Sequence, residues 1–155
     1  MIRLSRLTDY AVVLLGQMVR HPAQLLAASD LVEQTGLPMP TVSKIMKQLA
    51  RTGLVSAQRG AAGGYKLARP AGEISIATLI EAIDGPIAIT DCAEGAEHDC
   101  QMKKSCPMMA NWNRVNIEIR RALERISLED MAGPSLGTQW LAAFPASPVT
   151  QTERV

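Results

Sequence analysis

The sequence predicts a mainly α fold: a series of short helices, one small β-hairpin and a long C-terminal helix. Three observations carry this. Apolar residues recur at spacings of three and four in several stretches that Gly and Pro punctuate. One glycine-rich stretch, "LVSAQRGAAGGYKLARP", separates two short strand-like runs. After Pro107 an apolar three-and-four alternation continues over several turns. With 155 residues the chain can bury a core without disulfides.

Leu4, Leu7, Ala11, Leu14 and Met18 mark a first amphipathic helix from about Ser5 to Val19, closed by His21-Pro22. A second starts at Ala28 or Ser29, with Ser29 or Asp30 at its cap or first turn, and stops at Thr35-Gly36. "LPMP" reads as a rigid turn, with Pro40 suited to the first position of a third helix that ends at Thr52-Gly53. Its apolar side holds Val42, Ile45, Met46 and Leu49. Strands follow over Leu54 to Gln58 and Tyr65 to Ala68, then a helix from Ile76 to Asp84 capped by Ser75. Met108, Trp112, Val115, Ile119, Ala122 and Ile126 form the last apolar seam. A helix continuing to Met131 would be about 36 Å long at ~1.5 Å per residue, too long for its own chain to cover, which predicts pairing in a homodimer. The domain reading is 1–85 for a nucleic-acid-binding unit, 86–106 for a cysteine-rich loop, 107–132 for a dimerisation helix and 133–155 for a flexible tail.

Net charge is only +1, yet the signs are segregated along the chain. From Pro40 to Pro70 stand Lys44, Lys47, Arg51, Arg59, Lys66 and Arg69 with no acidic residue. From Gly72 to Cys100 stand Glu73, Glu81, Asp84, Asp91, Glu94, Glu97 and Asp99 with no Lys or Arg. The basic stretch suits a polyanion. Helix, tight turn, second helix and basic glycine-rich hairpin together describe a winged helix-turn-helix, and the expected partner is double-stranded DNA. Thr41, Ser43 and Lys44 would face base edges and phosphates in the major groove, with Lys47 and Arg51 on the backbone. Arg59 at the wing tip suits the minor groove, where negative potential favours a guanidinium. Gly60, Gly63 and Gly64 let the hairpin turn and approach phosphate. Ser29 and Tyr65 complete the candidate DNA-contacting set.

All three cysteines lie in "DCAEGAEHDCQMKKSC" as Cys92-x7-Cys100-x5-Cys106. The segment lacks the C-x-x-C pairs common in structural zinc sites, although His98 could supply a nitrogen. Acidic neighbours disfavour free thiolates at the first two cysteines; a metal's own charge reverses that. Three spaced thiolates before a helix suit an iron-sulfur cluster that takes its fourth ligand from elsewhere. The apolar run Ala11 to Leu15 is too short and too closely flanked by polar residues for a signal peptide or a membrane span, so the chain is expected in the cytoplasm, with no membrane partner. No nucleophile beside a base, phosphate-binding glycine motif or carboxylate pair points to an enzyme.

"LSRLTDYAVVLL", "LARTGLVSAQRGAAGGYKLAR" and the three-cysteine loop before a long helix resemble, in that order, the Rrf2 family of bacterial winged-helix regulators. "LTDYAVVLL" together with "NWNRVNIEIRRALERISLEDMA" is similar to its regulators of the SUF iron-sulfur assembly operon. The resemblance implies a homodimer crossed through the long helix, holding a 2Fe-2S or 4Fe-4S cluster on Cys92, Cys100 and Cys106, with DNA affinity set by cluster occupancy. It implies a repressor of SUF genes; the alternative is a winged-helix repressor that senses oxidants, nitric oxide or iron through the same cysteines without controlling them. One branch of the family takes its fourth ligand from a histidine three residues past the last cysteine, where this chain has Met109. Another uses an aspartate of the first helix, and Asp9 matches that position. Asp9 of a second subunit and His98 are the two candidates; Asp9 equally suits a role at the positive end of the helix.

Overall fold

The computed structural model describes residues 3–60, 62–93, 96, 100 and 105–133. Its elements are α1 (Arg6–Arg20), α2 (Ala28–Thr35), α3 (Met39–Arg51), β1 (Val55–Gln58), β2 (Gly64–Leu67), a 3-10 turn (Ala71–Glu73), α4 (Ile76–Asp84), α5 (Met109–Glu124) and α6 (Leu128–Ala132). Most follow from local chemistry. The Ser5 hydroxyl accepts the Thr8 amide at 3.1 Å to start α1, and Ser75 does the same for the Thr78 amide at the head of α4. At α2 the cap position is Ala27, which has no side-chain acceptor; the Asp30 carboxylate takes the Ala27 amide instead, at 2.9 Å. Pro38 precedes α3 and Pro40 is its second residue rather than its first, where a missing N–H is equally harmless.

The core lies where α1, α3, α4 and α6 meet. Ala11, Leu14, Leu15 and Met18 of α1 pack with Val42, Ile45, Met46 and Leu49 of α3, with Leu79 and Ile83 of α4, and with Leu26, Leu31, Leu54 and Leu128. Leu4, assigned to the apolar stripe, is exposed because α1 begins only at Arg6; Thr8 takes the buried place in the first turn. The hairpin pairs Val55 with Leu67 and Gln58 with Gly64. It is fastened to the segment before α2 by reciprocal hydrogen bonds, Leu26 N–H to the Tyr65 carbonyl at 3.0 Å and Tyr65 N–H to the Leu26 carbonyl at 2.8 Å.

The C-terminal helix departs from expectation. It begins at Met109 after a turn through Pro107 and Met108, and stops at Glu124. Sixteen residues span about 24 Å rather than 36. The break is local: the Ser127 hydroxyl accepts the Asp130 amide at 3.1 Å, while the Asp130 carboxylate accepts the Ser127 amide at 2.8 Å, a capping box that starts α6 afresh. Ile76 N–H donates to the Ile126 carbonyl and Leu128 N–H to the Ile74 carbonyl, so the chain turns back and Leu128 enters the core. The tail expected over 133–155 lies, apart from Gly133, outside the described residues.

Candidate nucleic-acid interface and cysteine segment

With Val42, Ile45, Met46 and Leu49 turned into the core, an advance of about 100° per residue sets Pro40, Lys44, Lys47 and Arg51 along one ridge of α3, and all four are exposed. Thr41 and Ser43 sit half-buried on its flanks, and Ser29 is exposed in the first turn of α2. The wing presents Arg59 and Lys66 to solvent. This surface carries no carboxylate from α3 or the hairpin, so it can meet phosphates without like-charge repulsion.

The wing glycines serve the fold before any ligand. Gly60 has φ +117°, a conformation L side chains rarely adopt. A Cβ on Gly63 would strike the Gln58 and Gly60 carbonyls that close the hairpin, and one on Gly64 would lie 2.6 Å from the Leu26 carbonyl oxygen. Tyr65 is half-buried against the core, and its main chain makes the reciprocal bonds to Leu26.

The three cysteines are free thiols: Cys92 is 7% exposed, and Cys100 and Cys106 are half-buried. The Thr90 hydroxyl lies 3.4 Å from Cys92 Sγ. No three His, Cys, Asp or Glu side chains among the described residues form a metal-binding group. His98, with Glu94, Glu97, Asp99, Lys103 and Lys104, lies outside the described residues. Asp9 is exposed in the first turn of α1.

Sequence reasoning missed the side chains that hold the approach to Cys92. Asp84, at the end of α4, accepts the Ser5 amide at 3.2 Å and the buried Thr8 hydroxyl at 2.8 Å. Partial burial works to raise its pKa, but these hydrogen bonds from Ser5 and Thr8 outweigh burial and hold the carboxyl below the ordinary aspartate range. The Gln48 amide, on a flank of α3, donates to the carbonyls of Ala82 and Ile83 at 3.0 and 2.9 Å, satisfying groups the end of α4 leaves open. Asn116 of α5 accepts the Ile89 amide at 3.1 Å and donates to the Ile87 carbonyl at 2.9 Å.

Among the described residues, the first half of α5 buries a polar side chain and exposes apolar ones. Asn116 is its buried side chain, whereas Met108 before it and Trp112, Val115 and Ile117 along it are 43–50% exposed. Met108, Trp112 and Val115 lie on one side of the helix and Ile117 on another, while Ile119 and Ala122 of the same seam are half-buried; the exposed end of the seam is the part a second helix could cover.

No helix among the described residues is long and apolar enough to cross a membrane. The family model described as "Rrf2: Iron-dependent Transcriptional regulator" matches residues 4–134. The chain is 33% identical over 131 residues to the HTH-type transcriptional regulator IscR of Xenorhabdus nematophila, covering 84% of this chain and 79% of that one. It is 28% identical over 131 residues to the HTH-type transcriptional regulator NsrR of Oceanobacillus iheyensis, covering 84% and 89%. The solved structure of T. potens IscR matches with a TM-score of 0.60 at 24% identity, covering 90% of this chain and 96% of that one, a likeness of fold.

Proposed function

The chain belongs to the Rrf2 family of transcriptional regulators, and we propose that it is an iron-sulfur cluster-sensing repressor of the SUF assembly genes that acts in the cytoplasm as a homodimer. Its relatives are DNA-binding regulators rather than enzymes. The observation that carries the cluster reading is the placement of three thiols outside any disulfide in the segment that joins the DNA-reading core to α5, a helix whose Trp112 and Val115 the described residues leave exposed. The donor set fits such a group in kind: three cysteines, none spent in a disulfide.

Cys92, Cys100 and Cys106 would hold the cluster, with the partner subunit's Asp9 or with His98 as fourth ligand. When bound, it supplies a link between thiolates that iron supply and oxidation can break. The chain's own residues do the rest. Trp112, Val115 and their neighbours on α5 pair two copies; Lys44, Lys47 and Arg51 seat each α3 on the DNA backbone; Thr41 and Ser43 lie at the groove floor. Ligation through Cys92, Cys100 and Cys106 would fix the dimer and set the two α3 helices about 34 Å apart, one turn of DNA, on a near-palindromic site. Loss of that ligation would relax the spacing and release the operator.

The test is anaerobic purification with visible absorbance, iron and sulfide measured per subunit, for wild type and Asp9→Ala, and a mobility-shift assay on a SUF promoter. Brown protein with stoichiometric iron and sulfide, destabilised by Asp9→Ala, supports the reading. Protein that stays colourless after reconstitution refutes it.

A further inference from the structure

We infer that Asn116 is the positioning residue through which the cysteine segment acts on α5; this rests on the cluster-controlled function proposed above. A buried amide is costly unless its donor and acceptor ends are both matched. Here both are, and by one stretch of backbone: Nδ2 donates to the Ile87 carbonyl and Oδ1 accepts the Ile89 amide. The assignment of the two ends is forced, because a main-chain amide can only donate and a carbonyl only accept.

Residues 87–89 belong to no helix or strand, so Asn116 does for them what a neighbouring strand would do. Two-point pairing fixes this stretch both along α5 and across it. Directly downstream, the Thr90 hydroxyl meets Cys92 Sγ at 3.4 Å. Directly upstream, Gln48 ties the Ala82 and Ile83 carbonyls to α3, and Asp84 ties the same turn to Ser5 and Thr8 at the start of α1. One short span, residues 82–92, is therefore gripped by side-chain hydrogen bonds to α1, α3 and α5. The Asn116 grip joins a donor and an acceptor of one side chain to an acceptor and a donor two residues apart, so both bonds depend on the same placement of the side chain. The grip is made or broken, which gives the coupling a two-state element rather than a gradual drift.

The test uses the full-length chain twice. In metal-free, reduced protein, iodoacetamide labelling is followed by mass spectrometry at Cys92 and Cys106 for wild type, Asn116→Ala and the milder Asn116→Ser. Loss of the grip should label Cys92 at least about tenfold faster in Asn116→Ala, which removes both hydrogen bonds, and less so in Asn116→Ser, with Cys106 unchanged. In parallel, operator affinity is measured with and without cluster. The variants should keep the metal-free affinity while the ratio between the two states falls toward one. Wild-type labelling of Cys92 in the variants overturns the inference, as does a wild-type affinity ratio, and so does equal acceleration at both cysteines, which marks general loosening. A wild-type protein whose operator affinity ignores the cluster refutes the proposed function instead, and the Cys92 rates still decide the grip.

Discussion

Adding one methyl group at two glycines should change stability in opposite directions. At Gly64 an added Cβ meets the main chain of the Leu26–Ala27 peptide: the Leu26 oxygen at 2.6 Å, the Leu26 carbonyl carbon at 2.8 Å and the Ala27 nitrogen at 3.0 Å. None of these can rotate away, so β2 must withdraw from residues 26–27. Withdrawal by even half an ångström stretches the 2.8 and 3.0 Å bonds that fasten the wing. Two main-chain hydrogen bonds at about 0.5–1.5 kcal/mol each put the cost of Gly64→Ala at about 1–3 kcal/mol. Gly16 lies inside α1, where an added Cβ would have, among the described residues, no heavy atom within 4 Å beyond its chain neighbours and the backbone of its own helix. There alanine gains helix propensity, and Gly16→Ala should stabilise by up to ~1 kcal/mol. Urea denaturation followed by circular dichroism measures both. Operator binding adds a second reading: Gly64→Ala moves Arg59 and should weaken affinity about tenfold, while Gly16→Ala leaves it unchanged. A neutral Gly64→Ala, or a Gly16→Ala as damaging as Gly64→Ala, would refute the view that the wing is docked through that missing side chain.

On the exposed ridge of α3, Lys47→Ala should weaken binding to all DNA and lower the salt slope by about one, whereas Ser43→Ala should mainly alter sequence preference; fluorescence anisotropy across a salt series separates them. Leu128→Ala should cost about 3–5 kcal/mol in urea denaturation, because its side chain is fully buried between α1 and the turn at Ile74. Ser127→Ala removes the cap of α6 and should cost roughly 1 kcal/mol by the same assay, with no effect on operator preference. The Asp84 carboxyl has its pKa depressed on folding, so its contribution is fully present above about pH 4 and is lost as pH falls through its lower folded value. The group is largely solvent-exposed, which holds that contribution to under about 1 kcal/mol. Asp84→Asn should therefore flatten the acid limb of the stability profile below about pH 4 and lower stability slightly at pH 7.

Features that depend on near neighbours were readable in advance. Ser75 three residues before Thr78, Gly36 after Thr35, and the Val42, Ile45, Met46, Leu49 spacing each decide a local structure by themselves, and α4 has the expected bounds. The long helix misled because the apolar seam stays in phase through Ile126; the competing signal, Ser127-x-x-Asp130, is equally local and lies in "SLED". The wing glycines were legible as turn formers, but the contact between Gly64 and Leu26 joins residues 38 apart in sequence and no pattern announces it. Gln48, Asp84 and Asn116 were missed for a similar reason. Each is a polar residue whose partners lie far away in sequence, main-chain atoms in every case and for Asp84 the Thr8 hydroxyl as well. Asn116 stands in the polar and charged stretch Asn111–Arg121 and nothing local sets it apart from Asn111 or Asn113.

The central proposal is that the cysteine segment governs the spacing of the two recognition helices. The most direct measurement is operator affinity of a single anaerobic preparation, titrated before and after its cluster is removed, with Cys92→Ala carried alongside. The expected result is an affinity that changes at least tenfold with cluster removal in wild type and is fixed at the cluster-free value in Cys92→Ala. Equal affinity in both states of a wild-type protein shown to carry stoichiometric iron and sulfide would contradict it.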